Sequence, residues 1–143
     1  MPTASGLRQV GYFDCAGGGQ VVVTGGVAFI GHMRSPYGTS IVDVRDPGNP
    51  KLLSQLQMPP GTHSHKVRVH AGVMIINREI NNNDPNPPPQ DFRGGLGIYD
   101  VTNPLAPRLI SNWETRVRAF TGSIPMLAMS IFHRPPRDIS GTS

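Results

Sequence analysis

Two histidines separated by one residue, His63 and His65, are the side chains with the clearest chemical potential. Alternate side chains of an extended strand share a face, so these two imidazoles are expected to point the same way. Imidazole nitrogens bind zinc, copper, iron and nickel, and a carboxylate can complete such a ligand set. Glu79 is the nearby carboxylate on the predicted neighbouring strand. The pattern predicts a transition-metal site at His63, His65 and Glu79; the alternative is a set of polar residues that line a channel or satisfy a turn.

The other chemically interesting residues give weaker signals. His70 falls on the opposite face of the predicted strand and is left out of the ligand set. Asp43 and Asp100 could pass for a catalytic pair, but they occupy equivalent places in a repeat, and we expect them to hydrogen-bond to turns. His32 follows a predicted strand and is interpreted as a loop residue, while Cys15 has no basic neighbour in the sequence that would activate it.

An internal repeat indicates the architecture that must position these residues. Residues 38–54 recur as residues 95–111, each with a short apolar run, an Asp-Val pair, an Asx-Pro turn and a second proline. Residues 21–30 recur as residues 67–76, with β-branched residues around a Gly-Gly or Ala-Gly pair. Such pairs predict two-residue hairpins with positive φ. One repeat unit cannot bury its own apolar face, so the units are expected to stack.

The spacing of the two copies predicts an all-β fold of antiparallel, four-stranded blades of a β-propeller. The hairpins recur after 46 residues and the longer phrase after 57, and the difference is a proline-rich insertion at residues 81–93. Blades of about 40 to 50 residues are typical of propellers. About two blades are therefore predicted over residues 16–115, after an N-terminal lead-in at residues 1–15. A part of a larger propeller, an assembly with other copies and a small sandwich are the alternatives for a chain of this length.

The repeated phrases at residues 40–44 and 97–101 resemble those of the LVIVD-repeat proteins. In both copies the strand is followed by Asx-Pro and a second proline, and the likeness spans about residues 10–115. The resemblance implies a β-propeller; many members are cell-surface or secreted, and their biochemical role is mostly unassigned. A binding or interaction scaffold without enzymatic activity is the leading hypothesis for this chain. The alternative is a metal-dependent propeller enzyme, oxidase-like or hydrolase-like, whose channel ligands include the two histidines.

Charge and composition limit the classes of binding partner that are expected. Residues 116–143 hold +3 of the formal net charge of +4, which leaves the repeat-bearing body nearly neutral. Its basic residues are not clustered among aromatics, so nucleic acid is not an expected partner, whereas an unidentified macromolecule or small ligand is. No apolar run is long enough for a membrane span, and no export signal is visible, which makes the cytoplasm the default compartment. The single cysteine excludes an internal disulfide.

The repeat pattern stops after residue 115. A third hairpin is expected near Ile124, but Pro125 and later Pro135 and Pro136 occur in this region, and proline is excluded from central strands. We interpret residues 116–143 as a divergent tail, either read in a shifted frame or disordered.

Overall fold

The computed structural model of the protein describes residues 6–115, which form nine β-strands and no helix. The strands are β1 (Gly18–Thr24), β2 (Val27–His32), β3 (Tyr37–Asp43), β4 (Lys51–Gln57), β5 (Thr62–His63), β6 (Val67–His70), β7 (Val73–Ile80), β8 (Gly95–Asp100) and β9 (Arg108–Glu114). No helix in this part of the chain could therefore cross a membrane. The expectations for residues 1–5 and for the tail at residues 116–143 lie outside the described residues.

The nine strands form two antiparallel sheets, as the all-β prediction requires. Sheet 1 is a meander in the order β1-β2-β3-β4. Sheet 2 runs β7-β8-β9, and both β5 and β6 pair with β7 at its inner edge. The predicted antiparallel units of four strands are thus present, with one difference: the first strand of the second unit is divided into β5 and β6.

The hairpin turns follow the predicted pattern. Gly25 and Gly26 have φ values of +57° and +75°, and Ala71 and Gly72 have values of +47° and +77°. A two-residue hairpin that matches the twist of its strands requires positive φ at both turn positions. The flanking pairs are in equivalent register, with Thr24 opposite Val27 in sheet 1 and residue 70 opposite residue 73 in sheet 2.

The Asx-Pro turns after β3 and β8 are also built alike. The Gly48 N–H donates to Asp46 Oδ1 at 3.0 Å, and the Leu105 N–H donates to Asn103 Oδ1 at 3.1 Å. A carboxylate or amide that accepts from the backbone two residues ahead stabilises the turn before strand pairing resumes. The repeated sequence thus gives repeated hydrogen bonds.

Asp43 and Asp100 hold the ends of these strands to the turns. Asp43 accepts hydrogen bonds from the side chain and backbone N–H of Arg45, which hold its pKa at about 2. Asp100 accepts from the hydroxyl and N–H of Thr102 and from Arg108, and its pKa is also about 2. Both carboxylates are engaged locally and on different sheets, in agreement with a structural role.

The main hydrophobic core lies between the two sheets. Sheet 1 contributes one face, called here its core face, with Phe29 and Ile41 fully buried. Sheet 2 contributes its own core face, whose buried members are Val67, Met74, Ile76 and Val101. Each fully buried aliphatic or aromatic side chain contributes about 1.5–3 kcal/mol, so this contact is a major source of stability. The opposite side of each sheet is called its outer face.

The segment between β7 and β8 crosses back to sheet 1. No strand occurs at residues 81–94, where the sequence places its proline-rich insertion. The Asn81 N–H donates to the Gly61 carbonyl at 2.8 Å, and its Nδ2 donates to the Met33 carbonyl, just after β2 of sheet 1, at 3.0 Å. The Ser35 hydroxyl donates to Asp84 at 2.9 Å. The contacts with Met33 and Ser35 fix the inner ends of β2 and β7 relative to each other.

Candidate metal centre

The candidate centre lies where the inner strand of sheet 2 is interrupted. His63 is paired with Glu79, whereas Val67 is paired with Ile76. Three residues on the inner strand therefore face two residues on β7, which is the arrangement of a β-bulge. Bulges redirect side chains, and this one lies directly beside the two histidines. The extended strand on which the shared face of His63 and His65 was predicted is interrupted, because one extra residue breaks the ladder there.

The structure brings all three predicted ligand residues together. The His63 Nε2 atom lies 2.9 Å from Glu79 Oε2, and the His65 Nδ1 atom lies 3.7 Å from the same oxygen. The two imidazole rings meet edge to face, with their centroids 4.7 Å apart. One ligand atom from each residue lies within 4.8 Å of the other two. His63 reaches this position through direct cross-strand pairing, and His65 through the bulge.

Asn77 orients the second histidine. The Lys66 backbone N–H donates to Asn77 Oδ1 at 2.8 Å, which fixes the side-chain amide. The Asn77 Nδ2 atom then faces His65 Nδ1 at 3.4 Å. An amide nitrogen can only donate, so His65 Nδ1 accepts this hydrogen bond and is unprotonated; its single lone pair would have to leave Asn77 to bind an ion. The unprotonated state is the one that metal ligation requires.

The cluster is buried and incompletely hydrogen-bonded. The Glu79 side chain is only 8 % exposed. Among the described residues, three buried polar side-chain atoms have no hydrogen-bond partner, and two of them are His63 Nδ1 and Glu79 Oε1. A buried polar atom without a partner costs about 1–3 kcal/mol, which makes such atoms rare and informative. Both atoms belong to the cluster of His63, His65 and Glu79, which makes it the candidate centre.

Electrostatics favour the ionisation states of a metal site. Burial alone would raise the pKa of Glu79, but the side chains of His63 and Asn77 and the nearby cation of Lys66 outweigh it, so the pKa lies below its ordinary value. Burial, with a smaller contribution from His63, lowers the pKa of His65. At neutral pH the site therefore combines a carboxylate with a neutral imidazole, as ligation requires.

The distances between the donors suit a small divalent ion after modest side-chain adjustment. Metal–nitrogen and metal–oxygen bonds near 2.1 Å place neighbouring ligands of a tetrahedral ion roughly 3.4 Å apart. The contacts from Glu79 Oε2 to the two imidazoles, at 2.9 and 3.7 Å, bracket that value. An ion here would replace the proton that His63 Nε2 now shares with the carboxylate. The residues present thus fit a metal ion with two nitrogen ligands and one oxygen ligand.

Sheet 1 holds the backbone of the site in place. The Gln20 N–H donates to the His65 carbonyl at 3.0 Å, and the Val67 N–H donates to Gln20 Oε1 at 3.1 Å. Gly19 and Gly31 lie so close to His65 that a Cβ on either would come within 3.0 Å of it. The bulge is therefore clamped between the two sheets, and its geometry depends on both repeat units.

A second cluster, in sheet 1, was missed by sequence reasoning. His32 is buried at the end of β2, so its interpretation as a loop residue is wrong. Its Nδ1 donates to the Ala16 carbonyl at 3.0 Å, and its Nε2 accepts from the Ser40 hydroxyl at 2.8 Å. Cys15 Sγ lies 3.6 Å from the same Nε2, so this cysteine does have an imidazole neighbour. Because alternate residues of a strand share a face, counting from Ala28 could have placed His32 on the outer face of sheet 1.

This second cluster is better suited to structure than to catalysis. It borders a cavity of about 240 Å³ that the N-terminal segment helps to line. Burial raises the pKa of the Cys15 thiol and lowers that of His32, so neither group is charged at neutral pH. Ser40 already accepts a hydrogen bond from Gln55 at 2.7 Å. The arrangement is a satisfied, neutral hydrogen-bond network.

Comparison with known proteins adds no assignment, because no protein-family model and no curated protein matches the chain.

Proposed function

We propose that the protein consists of two blades of an LVIVD-type β-propeller that bind a divalent transition-metal ion through His63, His65 and Glu79. One observation carries the metal proposal: two imidazoles and a carboxylate converge within 4.8 Å in a buried cluster that contains unsatisfied polar atoms. Two antiparallel sheets, one of four strands and one of five, pack against each other through their core faces and support the propeller part of the proposal.

The donor set narrows the class of ion. Two imidazoles and one carboxylate suit zinc, iron, copper and nickel better than calcium or magnesium, which prefer oxygen ligands. Three protein ligands leave at least one coordination position for water or a substrate, as in catalytic zinc sites. A metal-dependent enzyme of the hydrolase or oxidase type is the activity that such an open position would serve.

A binding or interaction scaffold is the second candidate function. It is favoured by the exposed apolar side chains on the outer faces of both sheets, such as Val23 and Trp113. An exposed apolar face of a sheet commonly marks a contact surface. The two functions are compatible, because the ligands of the metal site and the most exposed apolar residues are different side chains.

Calorimetric titration of the chelator-treated chain with Zn²⁺ tests the metal proposal. We expect one site per chain, and we expect His65→Ala and Glu79→Gln each to weaken binding roughly a hundredfold or more, since a lost ligand costs more than a lost supporting contact. His70→Ala is the matched control, because His70 is an exposed histidine on the same inner strand that lies away from the cluster. It should bind as the wild type does.

Thermal unfolding gives an independent measure of the same site. Zn²⁺ at about 100 times its Kd should stabilise the folded chain by about 2.7 kcal/mol, and the same concentration should stabilise the His65→Ala variant by no more than about 0.4 kcal/mol. Circular dichroism would verify that each variant keeps its β structure. Absence of stoichiometric zinc binding, or unchanged affinity in both ligand variants, would refute the proposed function.

A further inference from the structure

The two sheets contact each other through different faces of the repeat unit. Cross-strand pairs place Val22, Phe29 and Ile41 on the core face of sheet 1. Their counterparts in the second repeat, Arg68, Ile75 and Ile98, are cross-strand partners on the outer face of sheet 2. The core face of one unit is therefore equivalent to the outer face of the other.

The same relation holds for the opposite sides. Val67, Val69 and Met74 lie in or against the core between the sheets. Their counterparts in the first repeat are Val21, Val23 and Ala28, which belong to the outer face of sheet 1. The contact between the sheets is thus head to tail, since each unit has two different and complementary faces.

Burial at equivalent positions shows which faces lack a neighbouring unit. Val67 is fully buried against sheet 1, but its counterpart Val21 is 56 % exposed, and Val23 on the same face is 60 % exposed. Leu53 and Leu56 pack into the core, whereas their counterparts Ile110 and Trp113 are 49 % and 53 % exposed. The apolar cluster of Val73, Ile75, Leu96 and Ile98 continues the outer face of sheet 2. Each outer face therefore carries apolar side chains equivalent to ones that are buried inside the chain. On sheet 1 the N-terminal segment covers the part around His32 and Ser40, and Val21 and Val23 remain exposed.

We infer that the outer face of sheet 2 binds the outer face of sheet 1 of a second copy of this chain, in the way that sheet 1 binds sheet 2 within one copy. The occupant follows from the repeat, because the surface that packs against the equivalent face within the described residues is one that the chain itself carries. Head-to-tail contacts close into a ring or extend as an open array. The two faces are distinct, so each copy can bind one neighbour on either side.

Light scattering coupled to size-exclusion chromatography tests this inference with two variants, one for each face. Val23→Glu places a charge on the outer face of sheet 1, and Trp113→Glu places one on the outer face of sheet 2. Both side chains are about half exposed, so the fold should tolerate the changes. Leu105→Glu is the control, an exposed leucine in the turn between β8 and β9. A chelator in all samples excludes association through bridging metal ions.

The expected pattern is specific to head-to-tail binding. The wild type and Leu105→Glu should have the mass of two or more chains at about 100 µM, and each face variant alone should have the mass of one chain. An equimolar mixture of the two face variants should form a one-to-one dimer, because one intact copy of each face remains. A monomeric wild type, a single face variant that still associates, or a mixture that stays monomeric would overturn the inference.

Metal titration separates this inference from the proposed function. Neither Val23 nor Trp113 belongs to the cluster of His63, His65 and Glu79, so both variants should bind Zn²⁺ as the wild type does if the metal proposal holds. Failure of assembly with intact zinc binding therefore overturns this inference alone.

Discussion

Sheets 1 and 2 have the same strand order and the same turns, but they differ sharply at the inner edge. The positions 46 residues before His63, His65 and Glu79 are occupied by Gly17, Gly19 and Met33. Sheet 1 therefore has neither imidazole nor carboxylate where sheet 2 has its candidate metal centre. The residues that recur determine the fold, and those that do not recur form the candidate metal centre.

The presence of glycine at positions 19 and 31 of sheet 1 has a steric explanation. Gly19 and Gly31 leave room for the backbone of residues 64 and 65 to cross the inner edge of sheet 1. A side chain at either position would meet main-chain atoms that have little freedom to move. The two glycines of sheet 1 thus leave the space that the bulge of sheet 2 occupies. The inner edges of the two sheets differ because they fit against each other.

The substitution expected to disrupt the contact between the two inner edges most strongly is Gly31→Ala. An added Cβ would lie 2.6 Å from both the His65 carbonyl carbon and the Ser64 oxygen, and both of these atoms belong to the main chain. We expect the free energy of unfolding to fall by about 3 kcal/mol, the upper part of the usual range for overpacking. Urea denaturation measures this change, and zinc affinity should also fall because the bulge must shift.

Gly25→Ala provides the matched control for that substitution. Its φ of +57° is close to the +47° of Ala71 at the equivalent turn position, and no atom lies within 4 Å of the added Cβ. Gly25→Ala gives the first repeat the alanine that the second repeat has at this position, and it should lower the free energy of unfolding by less than about 1 kcal/mol. A Gly31→Ala variant as stable as Gly25→Ala would show that the sheets are not in close contact at this point.

The buried histidine of sheet 1 gives a smaller, pH-dependent effect. Burial lowers the pKa of His32 from 6.5, so the folded chain holds it neutral, whereas the unfolded chain binds a proton. The contribution of neutral His32 to the free energy of unfolding should therefore be fully present above pH 6.5. It should decline as the pH falls towards the pKa of His32 in the folded chain, by up to about 1.4 kcal/mol per pH unit for one proton. Urea denaturation between pH 8 and pH 5 measures the slope.

His32→Gln should flatten that slope while lowering stability at every pH, because a buried hydrogen-bonded side chain is altered. His65 has a lowered pKa of the same origin and will leave part of the slope in place. His70→Gln, at an exposed position, is the matched control for replacing a histidine by glutamine. An unchanged slope in His32→Gln would contradict the assignment of this effect to sheet 1.

Much of the fold could be predicted from the sequence because its determinants are local. The Gly-Gly and Ala-Gly pairs require positive φ wherever they occur between strands, and the Asx-Pro turns form from neighbouring residues. Both signals occur twice at consistent spacing, so the hairpins and the strand order followed from them. The convergence of His63 and Glu79 was expected for the same reason, since it depends on pairing within one hairpin.

The remaining features depend on contacts between distant residues, which local patterns do not report. The bulge beside His65 exists because sheet 1 binds the inner strand through Gln20. The position of His32 against Ser40 and Cys15 depends on the path of the N-terminal segment. The role of Asn77 in orienting His65 likewise appears only when the bulge is known. Each of these joins two parts of the chain that carry no shared motif.

The smallest expected effect concerns Lys66, which separates a structural interpretation of the cluster from a metal-binding one. Its Nζ lies 3.8 Å from Glu79 Oε1, so it stabilises the carboxylate in the absence of an ion but repels a bound cation. Repulsion between this unit charge and a divalent ion on the other carboxylate oxygen is worth about 1 kcal/mol or more in a water-like dielectric, so Lys66→Gln should bind Zn²⁺ at least about fivefold more tightly. The same substitution should slightly destabilise the metal-free chain. Calorimetric titration would measure the expected gain in zinc affinity, and urea denaturation would measure the expected loss of stability of the metal-free chain. Weaker zinc binding in Lys66→Gln would show that this lysine supports the cluster without opposing an ion.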